Sequence, residues 1–67
     1  MQINWIKCKE RMPPDDDSDI IVSDQGRYYI LPSYMINRMR RSAIMNGYEW
    51  IPYSDEAWKG LLNKRPP

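Results

Sequence analysis

The chain has 67 residues, with 10 Lys or Arg against 9 Asp or Glu for a formal charge of +1, no His and one Cys. One Cys excludes an internal disulfide, and with no His there are too few ligands for a tetrahedral zinc site. No apolar run approaches the ~20 residues of a membrane span.

Residues 3–8 alternate, with Ile3, Trp5 and Lys7 on one side and Asn4, Ile6 and Cys8 on the other, which predicts a short, partly buried strand. Glu10-Arg11-Met12-Pro13-Pro14 ends it, because two prolines remove two backbone donors and favour extended chain. Asp15-Asp16-Asp17-Ser18-Asp19 forms an acidic loop. Ile20-Ile21-Val22 is a β-branched run suited to a strand. Ser23-Asp24-Gln25-Gly26 is a turn, with Gly26 at the bulge position of a three-residue hairpin loop. The chain returns over 27–31, Tyr28 and Ile30 on one face and Tyr29 and Leu31 on the other, and Pro32 closes the hairpin.

Ser33 is a candidate N-cap for a helix over 34–45. Ile36, Met39 and Ala43 make a stripe facing the sheet, and Asn46-Gly47 stops the helix. An extended reading of 33–40 is the alternative. Residues 48–53 read as a further strand, with Tyr48, Trp50 and Pro52 on one face. Ser54 caps a final helix whose Asp55 and Glu56 suit its positive end and whose apolar stripe is Trp58, Leu61 and Leu62. Residues 63–67 read as a frayed tail.

For catalysis, the commonest general base is missing, and Ser–His and Cys–His nucleophile pairs are excluded. Cys8 reads as a buried core thiol and points to a reducing compartment. The start, Met1-Gln2-Ile3-Asn4-Trp5, lacks the basic and apolar regions of a signal peptide. Asp15, Asp17 and Asp19 have the spacing that opens a calcium loop. Such a loop needs Gly at its sixth position and Glu at its twelfth, where this chain has Ile20 and Gly26. The loop is therefore a solvated segment, or an acidic contact for a basic partner through Asp15, Asp16 and Asp17. No cofactor or metal is implied.

Charge is uneven along the chain. Residues 1–26 hold three cationic and six anionic side chains, and residues 27–67 hold seven and three. Arg38, Arg40 and Arg41 cluster near Tyr28, Tyr29 and Tyr34. They read as a solvated helix face, as a contact for a protein, or as a platform that stacks bases and holds phosphates. The pI near 7.8 is below the value of about 9 expected of a dedicated nucleic-acid domain. Met35, Met39 and Met45 suit an irregular core or an adaptable surface, with core packing the first expectation. Three Trp and five Tyr are more rings than so small a fold can hide, so some serve a partner or a dimer interface.

Trp5-Ile6-Lys7-Cys8-Lys9-Glu10-Arg11-Met12-Pro13 resembles the pattern W-I-x-x-x-[DE]-R-[LM]-P, and Glu49-Trp50-Ile51-Pro52 resembles a later x-W-[MI]-P block. Both resemble a family of very small phage and prophage proteins, domain of unknown function 551. The similarity covers the N-terminal third and the Trp50 block. It implies a phage or prophage genome and the bacterial cytoplasm, and it supplies no activity. It also makes Trp5 and Trp50 mutual packing anchors, sets Arg11 against a carboxylate or a ring, and has Pro13 and Pro52 fix strand ends.

The expected fold is one α+β domain spanning 1–67. It has a small antiparallel sheet of three or four strands with one or two helices packed on one face. The expected function is a non-enzymatic phage accessory protein that binds and inhibits a host protein, such as a defence or nucleic-acid-handling enzyme. Its contact residues would be Arg38, Arg40, Arg41, Tyr34, Tyr28, Asp15, Asp16 and Asp17. The alternatives are nucleic-acid binding through the same arginines and tyrosines, and a self-associating homodimer. No membrane partner is expected.

Overall fold

The hairpin organises the chain. In the computed structural model, which describes residues 3–63, β2 (Asp19–Asp24) and β3 (Arg27–Pro32) pair antiparallel from Asp24↔Arg27 to Asp19↔Pro32. Only Gln25 and Gly26 lie between them, at φ 51° and 88°. Two positive φ values in a two-residue loop are those of a type I′ turn, whose twist matches that of the strands. The loop is thus one residue shorter than the bulged one the sequence suggested, and Gln25 accepts a backbone region that Gly26 occupies freely.

A four-stranded antiparallel sheet grows from this hairpin in the order β1-β4-β2-β3. β4 (Glu49–Pro52) pairs with β2 through Ile21↔Ile51 and Val22↔Trp50. β1 is only Ile6–Lys7 and pairs with β4 through Ile6↔Trp50 and Lys7↔Glu49. The strand expected over 3–8 is therefore shorter, but its alternation holds. Ile3 and Trp5 pack on one face of the sheet, and Ile6 and Cys8 on the other.

The α+β class stands, with more helix than expected and on both faces. Among the described residues three helices form: α1 (Ser33–Arg38), α2 (Arg40–Met45) and α3 (Asp55–Asn63). Ile36 of α1 and Ala43 of α2 pack with Cys8, Ile20, Val22 and Trp50. Ala57 and Leu61 of α3 pack with Ile21 and Ile51. β2 and β4 are thus covered on both sides, which is what consecutive apolar residues in a strand provide for. The division separates Trp5 from Trp50. Trp5 stacks on Tyr28, with centroids 5.8 Å apart and planes 10° apart, so the two tryptophans anchor opposite faces and not each other.

The segment 33–45 is helical and not extended, but it is two helices. They break at Met39, at φ −105° and ψ 26°, where no Gly or Pro stands. Ser33 is the first residue of α1, not its cap; Pro32 takes the cap position without a side-chain bond. After α2 the chain leaves by a Schellman motif. The Tyr48 N–H donates to the Ala43 carbonyl at 2.9 Å and the Gly47 N–H to that of Ile44 at 3.3 Å, with Gly47 at φ 71°. Ser54 does cap α3, its Oγ accepting from the Ala57 N–H at 3.1 Å. The apolar stripe of α3 runs through Ala57 and Leu61, while Leu62 is exposed. Of the tail expected over 63–67, Asn63 closes α3 and 64–67 lie outside the described residues.

Candidate interaction surface

Burial of Ile36 and Ala43 fixes how α1 and α2 lie on the sheet. Arg38, Arg40, Arg41, Ser42 and Met45 turn outward. Arg38 lies one turn after Tyr34, and its guanidinium sits 5.2 Å from the centre of that ring, a spacing at which two helical side chains meet. On α2, Arg40, Arg41, Ile44 and Met45 line a surface depression of about 440 Å³. Met35 and Met39 are 38% and 39% exposed, and Met45 is 78% exposed. The methionines expected in the core are thus largely on the surface: Met45 lies beside Arg40 and Arg41, and Met35 and Met39 line a second depression with Tyr29 and Leu31. The signal for this was available: Met45 stands just before the helix stop Asn46-Gly47.

The acidic loop meets this surface at the start of α1. The Ser33 N–H donates to the Ser18 carbonyl at 2.7 Å, and the Tyr34 N–H to that of Asp16 at 2.9 Å. Loop carbonyls therefore satisfy donors that a helix start leaves free. The buried Ser33 hydroxyl donates to the Pro14 carbonyl, and the Asn37 amide donates to that of Pro13 at 2.8 Å. The Asp16 carboxylate accepts from the Ser18 N–H at 2.9 Å, an Asx-type turn. Asp15, Asp16 and Asp17 are exposed. Among the described residues no three acidic or thiol side chains are placed to share a metal ion.

Tyr28 does not join this group, because it packs with Trp5 on the α3 side of the sheet. Cys8 is buried, and burial, with the Glu49 carboxylate nearby, raises its thiol pKa. A thiol so placed is held protonated and away from solvent. Arg11 takes the ring option: its guanidinium lies 5.7 Å from the centre of the Trp50 ring. The Trp50 indole N–H donates to the Arg11 carbonyl at 2.8 Å. The two sequence blocks W-I-K-C-K-E-R-M-P and E-W-I-P therefore close on each other, by the β1–β4 pairing and by this bond. The Tyr53 hydroxyl donates to Asp55 at 2.7 Å, which together with partial burial raises the phenol pKa. Among the described residues no helix is long and apolar enough to cross a membrane.

A family model described as a protein of unknown function (DUF551) matches residues 4–62. That match takes in α1, α2 and α3 up to Leu62, well beyond the two blocks that carried the resemblance. The chain belongs to this family. No curated protein and no solved structure matches it.

Proposed function

We propose that this member of the DUF551 family is a non-enzymatic binding module that docks on another protein through the outer face of α1 and α2. The observation that carries the reading is the exposed Met45 lining one surface depression with Arg40 and Arg41. Met and Arg are among the residue types enriched at protein interfaces, and Met adapts its shape to what it meets. The phage or prophage origin implied by the opening motif makes the partner a host protein, such as a defence or nucleic-acid-handling enzyme, which the contact would inhibit.

Nucleic-acid binding through the same arginines is the second reading, favoured by the Arg38–Tyr34 pair. It has fewer rings to use, since Tyr28 is stacked on the other face.

One capture experiment separates the two. The chain and a variant carrying Arg40→Glu, Arg41→Glu and Met45→Asp are each incubated with bacterial lysate, one portion untreated and one treated with nuclease. The expected result is a stoichiometric protein retained by the wild-type chain and lost with the variant. Recovery of no protein, or equal recovery by both, contradicts the reading. Retention that disappears with nuclease treatment supports the second reading instead.

A further inference from the structure

The outer edge of β3 is a separate feature from the α1–α2 face. In the sheet order β1-β4-β2-β3, β3 is paired on one side only among the described residues. Two hydrogen bonds fix which of its backbone groups face outward. The Asp19 carbonyl accepts from the Tyr53 N–H, on the β4 side, at 3.1 Å, and the Ser18 carbonyl accepts from the Ser33 N–H, on the β3 side, at 2.7 Å. Backbone groups alternate in direction along an antiparallel strand. Odd-numbered residues of β2 therefore bond toward β4 and even-numbered ones toward β3. In the β2–β3 ladder the bonded pairs are then Ile20↔Leu31, Val22↔Tyr29 and Asp24↔Arg27. Tyr28 and Ile30 turn their N–H and C=O groups away from the sheet. Pro32 holds the next outward position, where a missing N–H costs the ladder nothing.

Edge strands are ordinarily guarded by charge, proline or a bulge. Here Arg27 and Pro32 guard the ends, and Tyr28-Tyr29-Ile30-Leu31 between them carries no charge. Tyr29 and Ile30 are each 41% exposed.

We propose that β3 pairs antiparallel with β3 of a second copy of this chain, about a two-fold axis at Tyr29, to give one continuous sheet across both. The register follows from the outward groups. With the axis at Tyr29, Tyr28 faces Ile30 of the second copy at both ends, and each such pair makes two backbone hydrogen bonds. Centring on Ile30 instead would set Tyr28 against Pro32, which has no N–H to give.

Side chains agree with the same register. Tyr28 against Ile30 is an aromatic–β-branched pair, a favourable cross-strand combination, and it occurs twice. On the opposite face the two Tyr29 rings meet beside an apolar depression of about 290 Å³ that Leu31, Met35 and Met39 also line. Arg27 faces Leu31 of the second copy. The two Arg27 residues stand four positions apart, roughly 13 Å at strand spacing, beyond the ~8 Å screening length of physiological salt. A net charge of +1 per chain opposes the pairing little.

Sedimentation equilibrium of the full chain from micromolar to millimolar concentration tests this. The expected apparent mass rises from 8.1 kDa toward twice that value. Tyr29→Lys and Tyr29→Glu place like charges on the axis, so each variant alone stays monomeric. Mixing them restores association, because Lys then faces Glu. A wild-type chain that stays monomeric at millimolar concentration overturns the proposal. So do single variants that associate as the wild type does, or a mixture that does not. Should either variant fail to fold, amide exchange of the wild-type chain decides. Protection at Tyr28 and Ile30 that grows with concentration supports the pairing, and equal exchange at all concentrations overturns it. The capture variant changes Arg40, Arg41 and Met45, none of which lies on this edge or lines the depression beside Tyr29, so the two tests fail separately.

Discussion

At the residue scale, Trp50 carries the most structure. It is buried, its indole N–H holds the Arg11 carbonyl, and its ring lies under the Arg11 guanidinium. Truncating a buried Trp to Ala costs about 3–5 kcal/mol. A core of this size supplies roughly 3–5 kcal/mol in all. Trp50→Ala is therefore expected to leave no cooperative thermal transition by circular dichroism, whereas Trp58→Ala, at a half-buried position, keeps one. A Trp50→Ala melt close to the wild-type midpoint would remove Trp50 from its central place. Part of this was legible in the sequence. The matching of the two Trp-containing blocks marked Trp5 and Trp50 as packing residues. That they pack on opposite faces was not legible, because it depends on which strands neighbour each other.

At the scale of elements, the exit from α2 rests on one backbone angle. Gly47 sits at φ 71°, and a Cβ added there meets nothing within 4 Å. Gly47→Ala therefore isolates the backbone cost of a left-handed residue, about 1–2 kcal/mol. It is expected to lower stability in urea by that amount without changing the slope of the transition. No loss would mean that the Schellman exit does not hold α2 in place. Gly47 was readable as a helix stop, and so were the Ser54 cap and the hairpin. Each is a local signal that a few adjacent residues determine. The break at Met39 has no such signal. The loop carbonyls that replace a side-chain cap on α1 come from residues 16 and 18, at a distance in sequence that periodicity does not reach. Consecutive Ile20-Ile21-Val22 did hold a signal for helices on both faces, since a strand with one wet face would alternate.

At the scale of the whole molecule, the sheet has little hidden surface left to give. α1 and α2 cover one face, α3 covers the other, and the arginines and methionines of the first pair remain outside. The candidate surface was half legible. Arg38, Arg40 and Arg41 were visible as a cluster, and Arg38 with Tyr34 has helical spacing. Tyr28 was excluded only by its stacking on Trp5, and Met45 was hidden by the expectation that methionine fills cores. The acidic loop proved to be first a brace for α1, its carbonyls binding the helix start while its carboxylates stay in water.

The most direct measurement is photo-crosslinking in bacterial cells, with the reactive group placed in turn at Met45 and at Leu62. Both positions are exposed, at 78% and 44%, and they lie on helices covering opposite faces of the sheet. A surface that works by contact through α1 and α2 gives one discrete protein adduct from position 45 and none from position 62. No adduct from position 45, or the same adduct from both, would contradict it.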